Sequence, residues 1–229
     1  MDDKHLPIRP STLPDMVDDA LEAISREPWA SRIILGGGIA LKHYDDFRST
    51  HDIDAWWLGF PDEDIRRLLR DAIAKVAKAH GYSLDHRRFG ATDSFEYCNA
   101  VTGKREFSFQ IAVRDVELDE PLPSPWPPLR IETLRDNIGA KMNALVNRGA
   151  PRDFIDIHRV VTDGLLSVAD CWGFWRTKNP GGKVEDAKRQ ILAFLVRIET
   201  RRPLESIPDG SERLAAARVR DWFRSDFLV

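Results

Sequence analysis

Residues 33 to 57 read IILGGGIALKHYDDFRSTHDIDAWW. The short β-branched run RIIL (32–35) stops at Gly36, Gly37 and Gly38, and IALKHYDDF then has helical character, so the stretch opens as strand, glycine turn, helix. HDIDAWWLGF reads as a second strand. Successive strand side chains alternate between faces, so Asp52 and Asp54 project together while Ile53 goes to the core. Two carboxylates at one spot repel and raise each other's pKa unless a cation lies between them. Hard oxygen ligands of this kind suit Mg2+, which takes one or two carboxylates together with substrate phosphates. The alternative is that Asp52 belongs to the preceding turn and Asp54 is a solvated strand residue. The three glycines, lacking Cβ atoms, let the backbone approach an anion such as a triphosphate at a helix start. Taken alone, they are better explained by a tight strand-to-helix turn that needs positive φ. No GxxxxGK[ST] pattern is present, so the turn is not a P-loop.

Working outward, residues 14–26 (PDMVDDALEAISR) form an amphipathic pattern that predicts an opening helix. PDEDIRRLLRDAIAKVAKAHGY predicts a second, with acids at its start and Gly81 near its end. YSLDHRRF, DSFEYCNAV and REFSFQIAV are strand-like, and the last two flank a TGK turn. Five of the eight residues from Pro121 to Pro128 are proline, which favours a stiff extended connection. The expected boundary therefore separates an α/β domain over residues 1–120, built on a small mixed sheet, from a helical domain over 121–229. The later patterns, IETLRDNIGAKMNALVNRG, PRDFIDIHRVVTDG and a segment containing ILAFLVRI, are helical, so the fold class is α+β with an all-α C-terminal half.

With 229 residues the chain can build one large or two small cores, and a net charge of -3 supplies no global basic field. A nucleic-acid partner would need a local patch. Cys98 and Cys171 lie far apart without neighbours at ligand spacing, which argues against a disulfide framework or a zinc site and for a reducing, cytoplasmic compartment. The first residues, MDDKHLPIRPSTLPD, are acidic and proline-broken where a signal peptide is basic and then apolar, and no apolar run has the length of a membrane span. No membrane partner is expected.

The run LGGGIAL...FRSTHDIDAWW resembles the nucleotidyltransferase signature of the DNA polymerase β superfamily, and within it the AbiEii/AbiGii toxin family. Gly36, Gly37, Gly38, Ala40 and Leu41 match the first element, with Gly38 in place of the usual Thr or Ser. Arg48, Thr50, Asp52 and Asp54 match the second, with Thr50 for Ser. A later match follows in the same order as in the family: Lys141, Ala144, Leu145, Arg148, Arg152, Asp153 and Asp156. The resemblance covers about residues 30 to 160 and implies a polymerase β-like nucleotidyltransferase head.

It further implies nucleotidyl transfer from a nucleoside triphosphate, with Mg2+ or Mn2+ held by Asp52 and Asp54. Gly36, Gly37, Gly38, Arg48, Thr50 and Arg148 would bind the nucleotide. Lys141, which shares a helix face with Arg148, would offset phosphate charge, and Asp153 and Asp156 would act at the site or pair with these cations. Solvated surface positions remain the alternative for Lys141 and Arg148, and Asp153 is also explained as an acid in a helix first turn.

The superfamily commonly adds a third carboxylate on a neighbouring strand. In EFSFQIAV the candidate position is Gln110, a neutral amide that is not a base. Glu106 is the remaining acid on that face, and Asp115 lies beyond it. His51 reads as a turn residue, Trp56 and Trp57 as core or stacking residues, and Trp172, Phe174 and Trp175 as helical core. Arg87 and Arg88 form a small basic edge.

The family further implies a toxin of a toxin–antitoxin or phage-defence pair, with RNA such as tRNA as acceptor and an antitoxin protein as partner. Two other readings stay open: a transferase that modifies a small hydroxylated molecule such as an antibiotic, and a degenerate module that binds nucleotide or a partner without turnover.

Overall fold

The computed structural model describes residues 6–50, 52–114 and 116–229, so His51 and Asp115 lie outside the described residues. The chain forms two compact units, Met1–Asn137 and Ile138–Val229.

The first unit is built on a seven-stranded mixed sheet. Its strands are β1 (Ile33–Gly36), β2 (Asp52–Trp57), β3 (Tyr82–Phe89), β4 (Thr92–Asn99), β5 (Arg105–Val113), β6 (Leu122–Pro123) and β7 (Arg130–Ile131), in the spatial order β3-β4-β5-β2-β1-β7-β6. β1 runs antiparallel to β2, and β2 runs parallel to β5. One face of this sheet is closed by α1 (Asp15–Ser25) and α3 (Glu63–Ala79). Val17, Leu21 and Ile24 of α1 and Leu69, Ile73 and Val76 of α3 pack there against Ile33, Leu35, Ile53, Ala55, Trp57, Phe95, Phe109 and Ile111. Every second residue of β2 thus goes to the core, which delivers Asp52 and Asp54 to the opposite face. The acidic start of α3 is capped by Asp62, whose carboxylate accepts from Ile65 N at 2.8 Å, and Gly81 beyond its end has φ +73.

The proline-rich segment does not behave as a connection between domains. β6 pairs with β7, β7 pairs in parallel with β1, and Trp126 and Leu129 are buried in the first unit's core. Prolines fit here because β6 is the edge of the sheet, where a missing backbone N–H costs nothing. The boundary between the units falls later, within α4 (Leu134–Asn147).

The second unit is helical, as its sequence pattern predicts. It holds the rest of α4 with α5 (Pro151–Thr162), α6 (Val168–Lys178), α7 (Val184–Arg201) and α8 (Gly210–Trp222). Trp172 and Trp175 are buried, and aromatic contacts link Phe154 to Phe223 and Trp172 to Phe227 with ring centroids 4.7 Å and 5.3 Å apart. Among the described residues no helix is long and apolar enough to cross a membrane.

Candidate active site

Gly36, Gly37 and Gly38 lie where β1 hands over to the short helix α2 (Gly37–Lys42). Gly36 is in register with Asp54 across the β1–β2 pair. Gly37 has φ +57, and a Cβ there would collide with the Asp54 carboxylate, so both conformation and space exclude a side chain. A Cβ at Gly38 would lie 3.3 Å from both the Arg48 guanidinium and Thr50 Oγ1. The two halves of the opening sequence stretch therefore meet in space: the turn touches the acid of β2 and the polar side chains that precede that strand.

The loop carrying Arg48 and Thr50 is tied down by Lys42, which pairs with Asp46 and donates to Arg48 O at 3.2 Å. Burial works against the Asp46 carboxylate, but hydrogen bonds from Lys42 and Ser11 hold it below its ordinary pKa. Thr50 Oγ1 donates to Asp52 O at 3.2 Å.

Asp52 and Asp54 are half-buried on one face of β2. Ser108 of β5, in register with Asp52, donates its hydroxyl to Asp52 Oδ1 at 2.6 Å. Gln110, exposed, is the β5 residue in register with Asp54. Among the described residues no three His, Cys, Asp or Glu side chains group to hold a metal, so Glu106 is not brought together with the two aspartates. It pairs with Lys104 at 3.4 Å near the start of β5. The register explains this: β2 begins at Asp52 opposite Ser108, and Glu106 lies two residues earlier along β5. The donor set available to a divalent cation is two carboxylates, which fits an ion that completes its shell with phosphate oxygens and water.

Beside the turn lies a buried polar group that sequence reasoning did not find. Glu132, 0% exposed, accepts from Trp56 Nε1 at 2.7 Å and from Asn137 Nδ2 at 2.8 Å, and it pairs with Arg114 at 2.8 Å. Asn137 Nδ2 also donates to Gly37 O at 2.9 Å. Trp56 is thus committed to Glu132, while Trp57 is core.

In the second unit the predicted cations and acids pair with each other. Lys141 Nζ lies 2.6 Å from Asp156 Oδ2 in a buried bridge. Arg148 holds Asp153 through Nε at 2.9 Å and a second nitrogen at 3.0 Å. Asp153 also accepts from Ala150 N at 3.1 Å, which caps the start of α5. Arg87 and Arg88 pair with Asp85 and Glu63, and Arg88 joins Arg66, Arg67, Arg70 and His86 around a cavity of about 90 Å³.

A family model described as "Nucleotidyl transferase AbiEii toxin, Type IV TA system" matches residues 19–189. No curated protein matches the chain. Solved structures that resemble it include MenT4, a nucleotidyltransferase toxin from Mycobacterium tuberculosis H37Rv, at 17% identity and a TM-score of 0.54, covering 93% of this chain and 82% of that one. That likeness concerns the fold. The match of the family model over most of the chain, on an α+β framework whose glycine turn meets an Asp-x-Asp strand, settles the assignment: the chain belongs to the AbiEii family of nucleotidyl transferase toxins of type IV toxin–antitoxin systems.

Proposed function

We propose that the protein transfers a nucleoside monophosphate from a nucleoside triphosphate to a hydroxyl of RNA, with tRNA as the leading acceptor, in a reaction dependent on Mg2+ or Mn2+. The observation that carries this reading is the convergence of Gly37 on Asp54 and of Gly38 on Arg48 and Thr50. It supports one site for metal and phosphates in the first unit. Asp52, oriented by Ser108, and Asp54 would hold the cation. A divalent ion there would supply charge to offset the triphosphate and to ease loss of the acceptor hydroxyl's proton. Arg48, Thr50 and the glycine backbone bind phosphate oxygens. The acceptor oxygen forms a bond to the α-phosphorus as the bond to the β-phosphate oxygen breaks; pyrophosphate leaves and the hydroxyl proton is lost to water. Lys141 and Arg148, which pair with Asp156 and Asp153 within the second unit, are the cations that the family resemblance assigns to offsetting phosphate charge.

An RNA acceptor is supported by the charge balance of the second unit, where Lys and Arg outnumber Asp and Glu in a chain of negative net charge. The arginines of the first unit supply no such surface, since Arg66, Arg67, Arg70 and Arg88 pair with Asp93, Asp64, Asp71 and Glu63. Membership of a toxin family implies a cognate antitoxin as partner.

One observation favours a second reading. Gln110 stands in register with Asp54, and no third acid joins the pair among the described residues, as expected of a module that binds nucleotide without turnover. Incubation with each labelled nucleoside triphosphate, Mg2+ or Mn2+ and total RNA, beside Asp54→Ala and Asp54→Asn, decides between them. Labelled RNA from the native protein alone supports transfer to RNA. Label on a small hydroxylated molecule identifies an antibiotic-type transferase, and nucleotide binding without product identifies the binding module.

A further inference from the structure

We propose that Glu132 and Asn137 are positioning residues for the Asp54 carboxylate, holding its own strand through Trp56 and the glycine turn packed against it through Gly37. The inference rests on the reading of Asp54 as a metal ligand.

Glu132 is wholly buried, and a charged carboxylate is costly to bury unless donors surround it. Its Oε1 accepts from Trp56 Nε1 at 2.7 Å, and its Oε2 accepts from Asn137 Nδ2 at 2.8 Å. Arg114, itself bound to Asp136 at 2.6 Å, supplies the compensating charge. An apolar side chain of similar volume would fill the same space at lower desolvation cost. What it would not do is hold two N–H donors at fixed points.

One point lies on the strand of Asp54 and the other on the turn packed against it. Trp56 follows Asp54 by two residues on the same face of β2, so its indole hydrogen bond anchors the strand just past the acid. Asn137 donates its second Nδ2 hydrogen to Gly37 O at 2.9 Å, and a Cβ on Gly37 would collide with the Asp54 carboxylate. Asn137 Oδ1 is buried with no hydrogen-bond partner among the described residues, so the two Nδ2 bonds alone fix the amide's orientation. Peptide planarity then turns the Gly38 N–H away from Asn137, toward the opposite side of the turn. Neither Glu132 nor Asn137 needs to touch metal or nucleotide. They set where Asp54 points, as the outer partners of metal ligands generally do.

The test measures Mn2+ affinity in the presence of each nucleoside triphosphate by calorimetric titration, along with transfer kinetics and urea denaturation. The proteins are native, Asn137→Ala, Glu132→Gln and Trp56→Phe, the last keeping the ring and removing only the N–H donor. Asn137→Ala and Glu132→Gln are expected to bind Mn2+ with nucleotide about 10- to 100-fold more weakly. Trp56→Phe is expected to show a smaller loss in the same direction, with transfer recovered at high Mn2+ and kcat close to native. A general structural role would not give that recovery. If Asn137→Ala or Glu132→Gln fails to fold, Trp56→Phe decides. Native Mn2+ affinity in the folded variants overturns the positioning role while leaving the site intact. A native protein that binds neither Mn2+ nor nucleotide overturns the reading beneath it.

Discussion

Lys141 Nζ donates to Asp156 Oδ2 at 2.6 Å, with the lysine side chain 8% exposed and the aspartate fully buried. A buried pair of this kind adds little net stability over an apolar pair, but losing one partner strands the other charge. Asp156→Ala should therefore cost about 3–5 kcal/mol of unfolding free energy, read by urea denaturation. The double change Lys141→Met with Asp156→Leu should recover most of that loss while remaining inactive in nucleotidyl transfer. Full transfer by the refolded double variant would make the pair purely structural.

Ser108 addresses Asp52 across the parallel β2–β5 pair through a hydrogen bond of 2.6 Å to a charged acceptor. Replacing it by alanine removes about 1.5–3 kcal/mol of such interaction at most. Because the bond orients a ligand carboxylate, the larger effect should fall on metal use. Ser108→Ala is expected to need several-fold more Mg2+ for half-maximal transfer, with activity restored at saturation. An unchanged Mg2+ requirement would separate the serine from the site.

Gly37 and Gly81 both have positive φ, +57 and +73, but their surroundings differ. A Cβ at Gly81 meets nothing within 4 Å, whereas at Gly37 it meets the Asp54 carboxylate. Gly81→Ala should therefore show only the backbone cost, about 1 kcal/mol. Gly37→Ala should add a steric cost and abolish nucleotide binding, because the turn and Asp54 must move apart. Urea denaturation and nucleotide titration of the two variants side by side measure the difference, and equal effects would remove the special status of Gly37.

These contrasts also show which parts were legible in the sequence. The β1–turn–α2 unit and the Asp-x-Asp of β2 are readable because period and spacing act over a few residues: alternation along β2 alone puts Asp52 and Asp54 on one face. The pairing of Lys141 and Arg148 with the acids of α5 was also within reach, since helix geometry and a short connection bring them together. Glu132 was not. It lies at the head of a pattern that reads as helix, between the end of β7 and the start of α4, and its partners Trp56 in β2 and Arg114 just past β5 are distant in sequence. A buried carboxylate leaves no local pattern when its justification is tertiary. The prolines misled for a related reason. Their stiffness is local and reads as a linker, but edge-strand pairing and the burial of Trp126 are set by the sheet that they join.

His43 gives the fold a pH dependence of definite sign. Burial pushes its imidazole down from 6.5 to about 4, against the carbonyl of Ile39 and the charge of Asp46, which favour protonation. Nδ1 lies 2.8 Å from Ile39 O and so carries the proton of the neutral ring, while Nε2 is buried with no hydrogen-bond partner among the described residues. Between pH 6.5 and about 4 the unfolded chain takes up a proton that the folded chain refuses, so stability falls as the pH drops through that window and is level above it. The full effect is about 3 kcal/mol for a shift of this size. Carboxylates titrate in the same range, so the comparison must be with His43→Gln, which shares them and lacks the imidazole. The native protein's unfolding free energy relative to that variant should decline by about 3 kcal/mol as the pH is lowered from about 7 to about 4. Parallel curves for the two proteins would mean that His43 accepts its proton in the folded state, and that its buried Nε2 finds a partner there.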